Sequence, residues 1–185
     1  MGVAVELRSQ PISEEEYFAR PYTGQREELI DGALLVSPAP GVPHQRLSSR
    51  LWNFLDQRVP EDLEVQKAIN VRLASGRVII PDVVVHSSVG TEGVFVPAEE
   101  VVMIVEIVSP STKQVDRLLK PGLAAQAGIQ FYVLVEPDGP TVTVHELDNG
   151  SYRQVVTASG EKTLTVTEPF PVEFRPAELL AARRS

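Results

Sequence analysis

Two nearly continuous apolar runs, each broken by a single acid, constrain this chain more than any other feature. Val101-Val102-Met103-Ile104-Val105-Glu106-Ile107-Val108 reads as a strand buried on both faces, because apolar residues fill both alternating sets of positions. Earlier in the chain, Val78-Ile79-Ile80-Pro81-Asp82-Val83-Val84-Val85 repeats the pattern with Asp82 as the interruption. A lone carboxylate in a buried strand costs several kcal/mol unless it is paired, protonated or bound to a metal. Two such strands in succession point to two carboxylates meeting at one place in a sheet.

At 185 residues the chain fits one domain, residues 1–185, since domains commonly run to roughly 100–200 residues. No run approaches the ~18 uninterrupted apolar residues of a membrane span. The first residues lack the long apolar core of a signal peptide. Cysteine is absent, which excludes a disulfide framework and thiolate chemistry. A cytoplasmic protein with no membrane association is expected. The net charge of −8 argues mildly against a tight nucleic-acid binder, although charge near a site matters more than the total.

Ser13-Glu14-Glu15-Glu16 has the capping-box spacing of a helix start, and that helix ends near Arg20, before Pro21. Asp31-Gly32 between apolar runs predicts a hairpin over 26–37. Leu47, Leu51, Phe54 and Leu55 predict an amphipathic helix over 44–59, with Arg46, Arg50 and Arg58 among its polar positions. Leu63, Val65, Ile69, Val71 and Leu73 read as one alternating strand. Ser87 to Pro97 reads as a loop. Ser109, Ser111 and Thr112 offer capping hydroxyls for a helix over 113–127, in which Pro121-Gly122 predicts a kink or break. Further strands follow from Gln130, and a short helix is expected over 176–183. Strand, helix and strand over 101–136 imply one parallel crossover. The fold class is mixed α+β: a central mixed sheet flanked by helices, with extra antiparallel strands.

Glu28, Asp82, Glu106 and Lys120 are the candidate chemical residues. Converging carboxylates at strand positions suit a hard divalent cation such as Mg²⁺ or Mn²⁺. A nearby lysine can orient water or steady negative charge. That combination suits phosphodiester hydrolysis. Each residue also has a plainer reading: Asp82 as a strand-edge acid beside a proline, Glu106 as a core ion-pair partner, Glu28 as a solvated hairpin residue, and Asp116 with Lys120 as an exposed pair four residues apart on a helix. His44 reads as a polar helix-start residue, and Ser111 and Thr112 as caps.

The ordered set resembles the PD-(D/E)XK nuclease superfamily and, within it, the Uma family of restriction-endonuclease-like proteins. The matching residues are Glu28-Leu29-Ile30-Asp31-Gly32, His44-Gln45, Pro81-Asp82, Val105-Glu106-Ile107-Val108-Ser109-Pro110-Ser111-Thr112 and Asp116-Arg117-Leu118-Leu119-Lys120. The resemblance implies a restriction-endonuclease-like fold, with Asp82 and Glu106 as metal ligands and Glu28 completing the site. It also implies Lys120 as the lysine carried on the following helix. Val108 stands where the wider superfamily has its lysine, and Ala124 stands where the family tends to carry an aromatic. The implied activity is that of a Mg²⁺- or Mn²⁺-dependent endonuclease acting on DNA, as a homodimer or higher homo-oligomer. The alternative is a nuclease fold without turnover, serving as a binding or assembly module. The two readings part on whether Arg46, Arg50, Arg58, Lys113, Arg117 and Lys120 form one basic rim around the acids.

Overall fold

The computed structural model of the chain describes residues 3–6, 11–87 and 93–180. In chain order its elements begin with β1 (Ala4–Glu6), α1 (Glu14–Ala19), β2 (Arg26–Ile30), β3 (Ala33–Ser37) and α2 (Val42–Asp56). Next come β4 (Glu64–Gln66), β5 (Val71–Ala74), β6 (Arg77–Ile79), β7 (Val83–His86), β8 (Val96–Pro97) and β9 (Val101–Ile107). A π-helical turn (Val115–Leu119) leads into α3 (Lys120–Gln126). The chain continues with β10 (Phe131–Glu136), β11 (Thr141–Asp148), β12 (Ser151–Ser159), β13 (Leu164–Val166) and β14 (Val172–Phe174). No helix among the described residues is long and apolar enough to cross a membrane.

Two six-stranded sheets carry the fold. One has the order β1-β3-β2-β6-β5-β8, and the other β12-β11-β10-β9-β7-β4. The second is the expected mixed sheet, in which β9 and β10 run parallel across the predicted crossover and β7 runs antiparallel to β9. Alternation along its central strands sends residues to two different cores. Val83, Val85, Val105 and Ile107 pack under Leu47, Leu51 and Leu55 of α2, while Val84, Ile104 and Tyr132 meet Val71, Ile79 and Leu123 from the first sheet and α3. The central strands are thus covered on both faces, which explains their unbroken apolar runs. The far face of the first sheet buries Leu29, Leu34 and Val78 against Tyr17 of α1.

Several local expectations hold. The Ser13–Glu16 capping box is complete, with both reciprocal hydrogen bonds formed. The Asp31-Gly32 hairpin pairs Ile30 with Ala33. The helix at α2 starts two residues before His44 and places Pro43 in its first turn, where a missing N–H costs nothing. Others are corrected. The single strand expected over 63–73 is divided between β4 and β5, which belong to different sheets. Ala68 takes a positive φ of 51° between them, a bend that no Gly or Pro announces. Within the expected loop 87–97, residues 88–92 lie outside the described residues, and Val96–Pro97 joins β5 as β8. The expected terminal helix is a 3₁₀ turn over Pro176–Leu179, and residues 181–183 lie outside the described residues. The break expected at Pro121-Gly122 takes the form of the π turn. Lys120 N–H bonds the carbonyl of Val115, Pro121 has no N–H to give, and the helix continues without separating.

The hairpin that carries Glu28 depends on Gly32, whose φ is 84°. A Cβ there would sit 2.5 Å from Cβ of Pro11. We expect Gly32→Ala to destabilise the fold by about 3 kcal/mol, combining left-handed strain with a clash that neither backbone can easily relieve. Urea unfolding measures this, and an unchanged midpoint would show that the hairpin does not need that conformation.

Candidate active site

Antiparallel pairing of β7 with β9 determines where the two strand acids meet. Val83 stands opposite Val105, so Asp82, one residue before β7, reaches the C-terminal end of β9. The N–H of Ile107 donates to Asp82 Oδ2 at 2.8 Å. The second Asp82 oxygen accepts from Arg26 Nη2 at 2.7 Å. His44 Nε2 lies 3.2 Å from Asp82 Oδ2 and 3.2 Å from the carbonyl of Ile107. Both neighbours are acceptors, so Nε2 carries the hydrogen. His44 Nδ1 is buried without a hydrogen-bond partner.

Glu106 lies on the face of β9 that looks toward the first sheet and α3. There Lys120 Nζ bridges Glu106 Oε1 at 2.8 Å and Glu28 Oε1 at 2.9 Å, with Asp116 Oδ1 at 4.0 Å. Glu28 Oε1 also accepts from the N–H of Ile80 at 2.7 Å. Glu28 is 0% exposed, Glu106 1%, Asp82 2%, Asp116 3% and Lys120 2%. Among the described residues, these five are the only buried Asp, Glu or Lys side chains. Charges this deep are rarely kept for stability, because desolvation offsets most of their attraction, and their proximity makes this region the candidate site.

The electrostatics divide the acids. Burial alone would raise the pKa of Asp82, but the hydrogen bond from His44 and the charge of Arg26 outweigh it and hold Asp82 well below the usual carboxylate range. Burial pushes Glu106 well above that range, with Lys120 opposing. Asp116 is raised by burial, again against Lys120. Burial works against the Lys120 ammonium, yet Glu106 and Glu28 more than offset it and raise its pKa. Burial also opposes the His44 imidazolium, but Asp82 raises the His44 pKa above 6.5.

The four sequence-predicted site residues fall in two neighbouring groups: Lys120 bonds Glu28 and Glu106 directly, while Asp82 is held by Arg26, His44 and the Ile107 N–H and meets Glu106 through charge alone. Around them stand four further contributors that were not among the candidate chemical residues: Arg26, His44, Asp116 and the hydroxyls after β9. His44 and Asp116 belong to the matching motifs but read as a helix start and an exposed helix pair. Arg26 carries no signal beyond opening a hairpin. Ser109 Oγ accepts from the N–H of Thr112 at 3.2 Å within the turn before the helix, and the π turn that follows has no side-chain cap. The Thr112 hydroxyl donates to Asp116. A small pocket of about 100 Å³ opens beside Asp82, with Arg26, His44, Ser109, Thr112 and Asp116 in its wall.

The donor chemistry fits a hard divalent cation, since every acid offers oxygen. Glu28 Oε2 and Glu106 Oε2 are also buried without hydrogen-bond partners. No three Asp, Glu or His groups among the described residues are already arranged around an ion position. Arg26, His44 and Lys120 supply the positive charge instead. The six basic residues named from sequence do not form one rim. Lys120 is buried with the acids, Arg117 pairs with Glu136, and Arg46, Arg50 and Arg58 line a separate groove.

The model of a family described as "Uma2: Putative restriction endonuclease" matches residues 14–182. A solved structure described as "a putative nuclease belonging to DUF820" from Anabaena variabilis superposes with a TM-score of 0.74 at 20% identity. That match covers 91% of this chain and 97% of the other, and it establishes the shared fold. No curated protein matches the chain.

Replacing Lys120 by Met should leave Glu28 and Glu106 as uncompensated buried acids and cost on the order of 3–5 kcal/mol. The double change Lys120→Met, Glu106→Gln should recover part of that loss. The stability gap between Lys120→Met and wild type should narrow as pH falls toward 4.5, the ordinary value for a glutamate. A carboxyl with a raised folded-state pKa contributes stability below its unfolded value and loses it as pH rises. Denaturant titrations across pH measure all three, and a gap independent of pH would refute the assignment of Lys120 as the counterion.

Proposed function

We propose that this chain, which belongs to the Uma2 family of restriction-endonuclease-like proteins, hydrolyses phosphodiester bonds of DNA at the cluster of Glu28, Asp82, Glu106 and Lys120. The observation that carries this reading is the burial of these acids and the lysine in one region, with Asp82 and Asp116 in the wall of a small open pocket. Asp82 and Glu106 are the residues that would hold Mg²⁺ or Mn²⁺, with Glu28 supporting them. Such an ion lowers the pKa of bound water and neutralises charge on the phosphate.

The remaining work falls to the chain's own side chains. Arg26, in the pocket wall, offers its guanidinium to a phosphate oxygen. Lys120 keeps Glu28 and Glu106 in place and contributes positive charge close to the reacting phosphate. Asp82 fixes the His44 ring through Nε2, which leaves Nδ1 to accept the proton of an attacking water. A cytoplasmic homodimer belongs to this reading, because one site cuts one strand and a duplex has two.

The second reading, a nuclease fold that binds without turnover, draws on the absence of a single basic rim among the described residues and on the cations already paired with Asp82. Cleavage of supercoiled plasmid with Mg²⁺ or Mn²⁺ separates the two. Asp82→Asn and Glu106→Gln should each lower the rate by at least about a hundredfold, the scale of losing one preorganised charged group. The wild-type melting temperature should rise with Mn²⁺, and Asp82→Asn should abolish that shift. Because Asp82 raises the pKa of His44, its base form builds up at higher pH than that of a free imidazole. The rate should therefore climb with pH as that form builds up and lose this limb in His44→Gln. Cleavage that survives Asp82→Asn would sink the proposal, and the absence of both cleavage and a metal shift in wild type would favour the second reading.

A further inference from the structure

The pocket beside Asp82, at about 100 Å³, has room for about three waters at their liquid volume. It can take a reacting phosphate but not the strand that carries it. A groove of about 980 Å³ runs along the outer face of α2. The first turn of α2 lines the acid pocket through His44, next to Gly41, and its outer face supplies Arg46, Arg50 and Arg58 to the groove, joined by Lys67. One helix thus borders both.

The charges in this groove differ from those elsewhere. The chain carries 25 Asp and Glu, yet α2 has a single acid, Asp56. Outside the groove, every arginine among the described residues has a carboxylate partner. Inside it, none of the four cations has one among those residues. Arg46 makes no hydrogen bond or ion pair among the described residues. Arg58 donates to the carbonyl of Phe54 and lies 3.9 Å over its ring. Lys67 donates to Ser49 Oγ at 2.8 Å, and Arg50 to the carbonyl of Leu179 at 2.8 Å. Glu178, the one acid in the wall, is engaged by Arg175. The aromatic groups are engaged too: Trp52 packs against the core and its Nε1 donates to the carbonyl of Val65, while the Phe54 ring has Arg58 over it and Phe174 tilted beside it. Cations without carboxylate partners suit the phosphates of a polyanion.

We infer that the groove along α2 docks the phosphodiester backbone of a nucleic acid, without regard to sequence, and delivers the strand to the acid pocket. The choice of this polyanion rests on the nuclease reading. Net charge does not decide it, because charge near a surface matters more than the total and the one acid of this groove, Glu178, is already engaged by Arg175.

The test is fluorescence anisotropy with a labelled duplex and a single strand of equal length, in EDTA so that no metal is needed. It compares wild type with the variant Arg46→Gln, Arg58→Gln, Lys67→Gln. All three positions are exposed, and Arg50, which ties α2 to Leu179, is kept. Wild type should bind both probes with strong salt dependence. The variant should melt as wild type does and bind duplex at least tenfold more weakly. Its slope of log K against log salt should be shallower by about 2 to 3, at roughly 0.9 for each phosphate no longer neutralised. The single variant Arg46→Gln should flatten the slope by about one such step. If wild type cleaves plasmid but the variant binds with unchanged affinity and slope, the groove is refuted and the nuclease reading stands. If binding depends on the groove while wild type never cleaves, the groove stands and the nuclease reading falls. A wild type that binds neither probe at low salt refutes the groove.

Discussion

The Lys120 ammonium, held between Glu28 and Glu106, is the interaction on which the rest of the site depends. It joins three elements that share no sequence neighbourhood: β2 of the first sheet, β9 of the second and α3 between them. Without that cation, two buried carboxylates would face each other across a dry gap. Removing one partner of such an arrangement costs far more than the arrangement itself contributes. The two sheets can therefore pack apolar surface against apolar surface only because the one polar place between them is neutralised.

The helix that carries Lys120 is irregular for a local reason. Pro121 cannot donate an N–H, and a regular helix would leave a carbonyl unmet. In the π register of Val115–Leu119 the Lys120 N–H bonds Val115, so the carbonyl that Pro121 would have met is that of Asp116. Such turns recur at functional sites because they re-aim side chains within an otherwise continuous helix. Here the turn brings Lys120 and Asp116 into the cluster together, while the Tyr132 hydroxyl donates to the carbonyl of Asp116 at 3.1 Å.

Charge is segregated across α2. On its inner side, the first turn brings His44 to Asp82, and Ser48 donates to the Asp82 carbonyl. On its outer side, cations without carboxylate partners among the described residues face a groove. A chain with a net charge of −8 thereby keeps positive charge where an anionic strand would approach and negative charge where a cation or water would be polarised. Distribution, rather than total charge, decides which partners such a surface attracts.

From sequence alone, the main helices and central strands, the Asp31-Gly32 hairpin, the capping box and the acids in their apolar strands were legible. Each rests on local rules: alternation, turn chemistry and the cost of a lone buried charge. The division of 63–73 between two sheets was not legible, because Ala68 supplies a positive φ without the usual residue for it. Nor was the role of Arg26, an ordinary hairpin residue until β2 is laid beside the end of β7. His44 was similarly hidden, since nothing about a histidine at a helix start says which carboxylate lies opposite. What the sequence by itself determined was which residues are too costly to bury alone. Tertiary structure decided which cation answers each of them, because antiparallel register and sheet stacking set those distances and no local pattern encodes them.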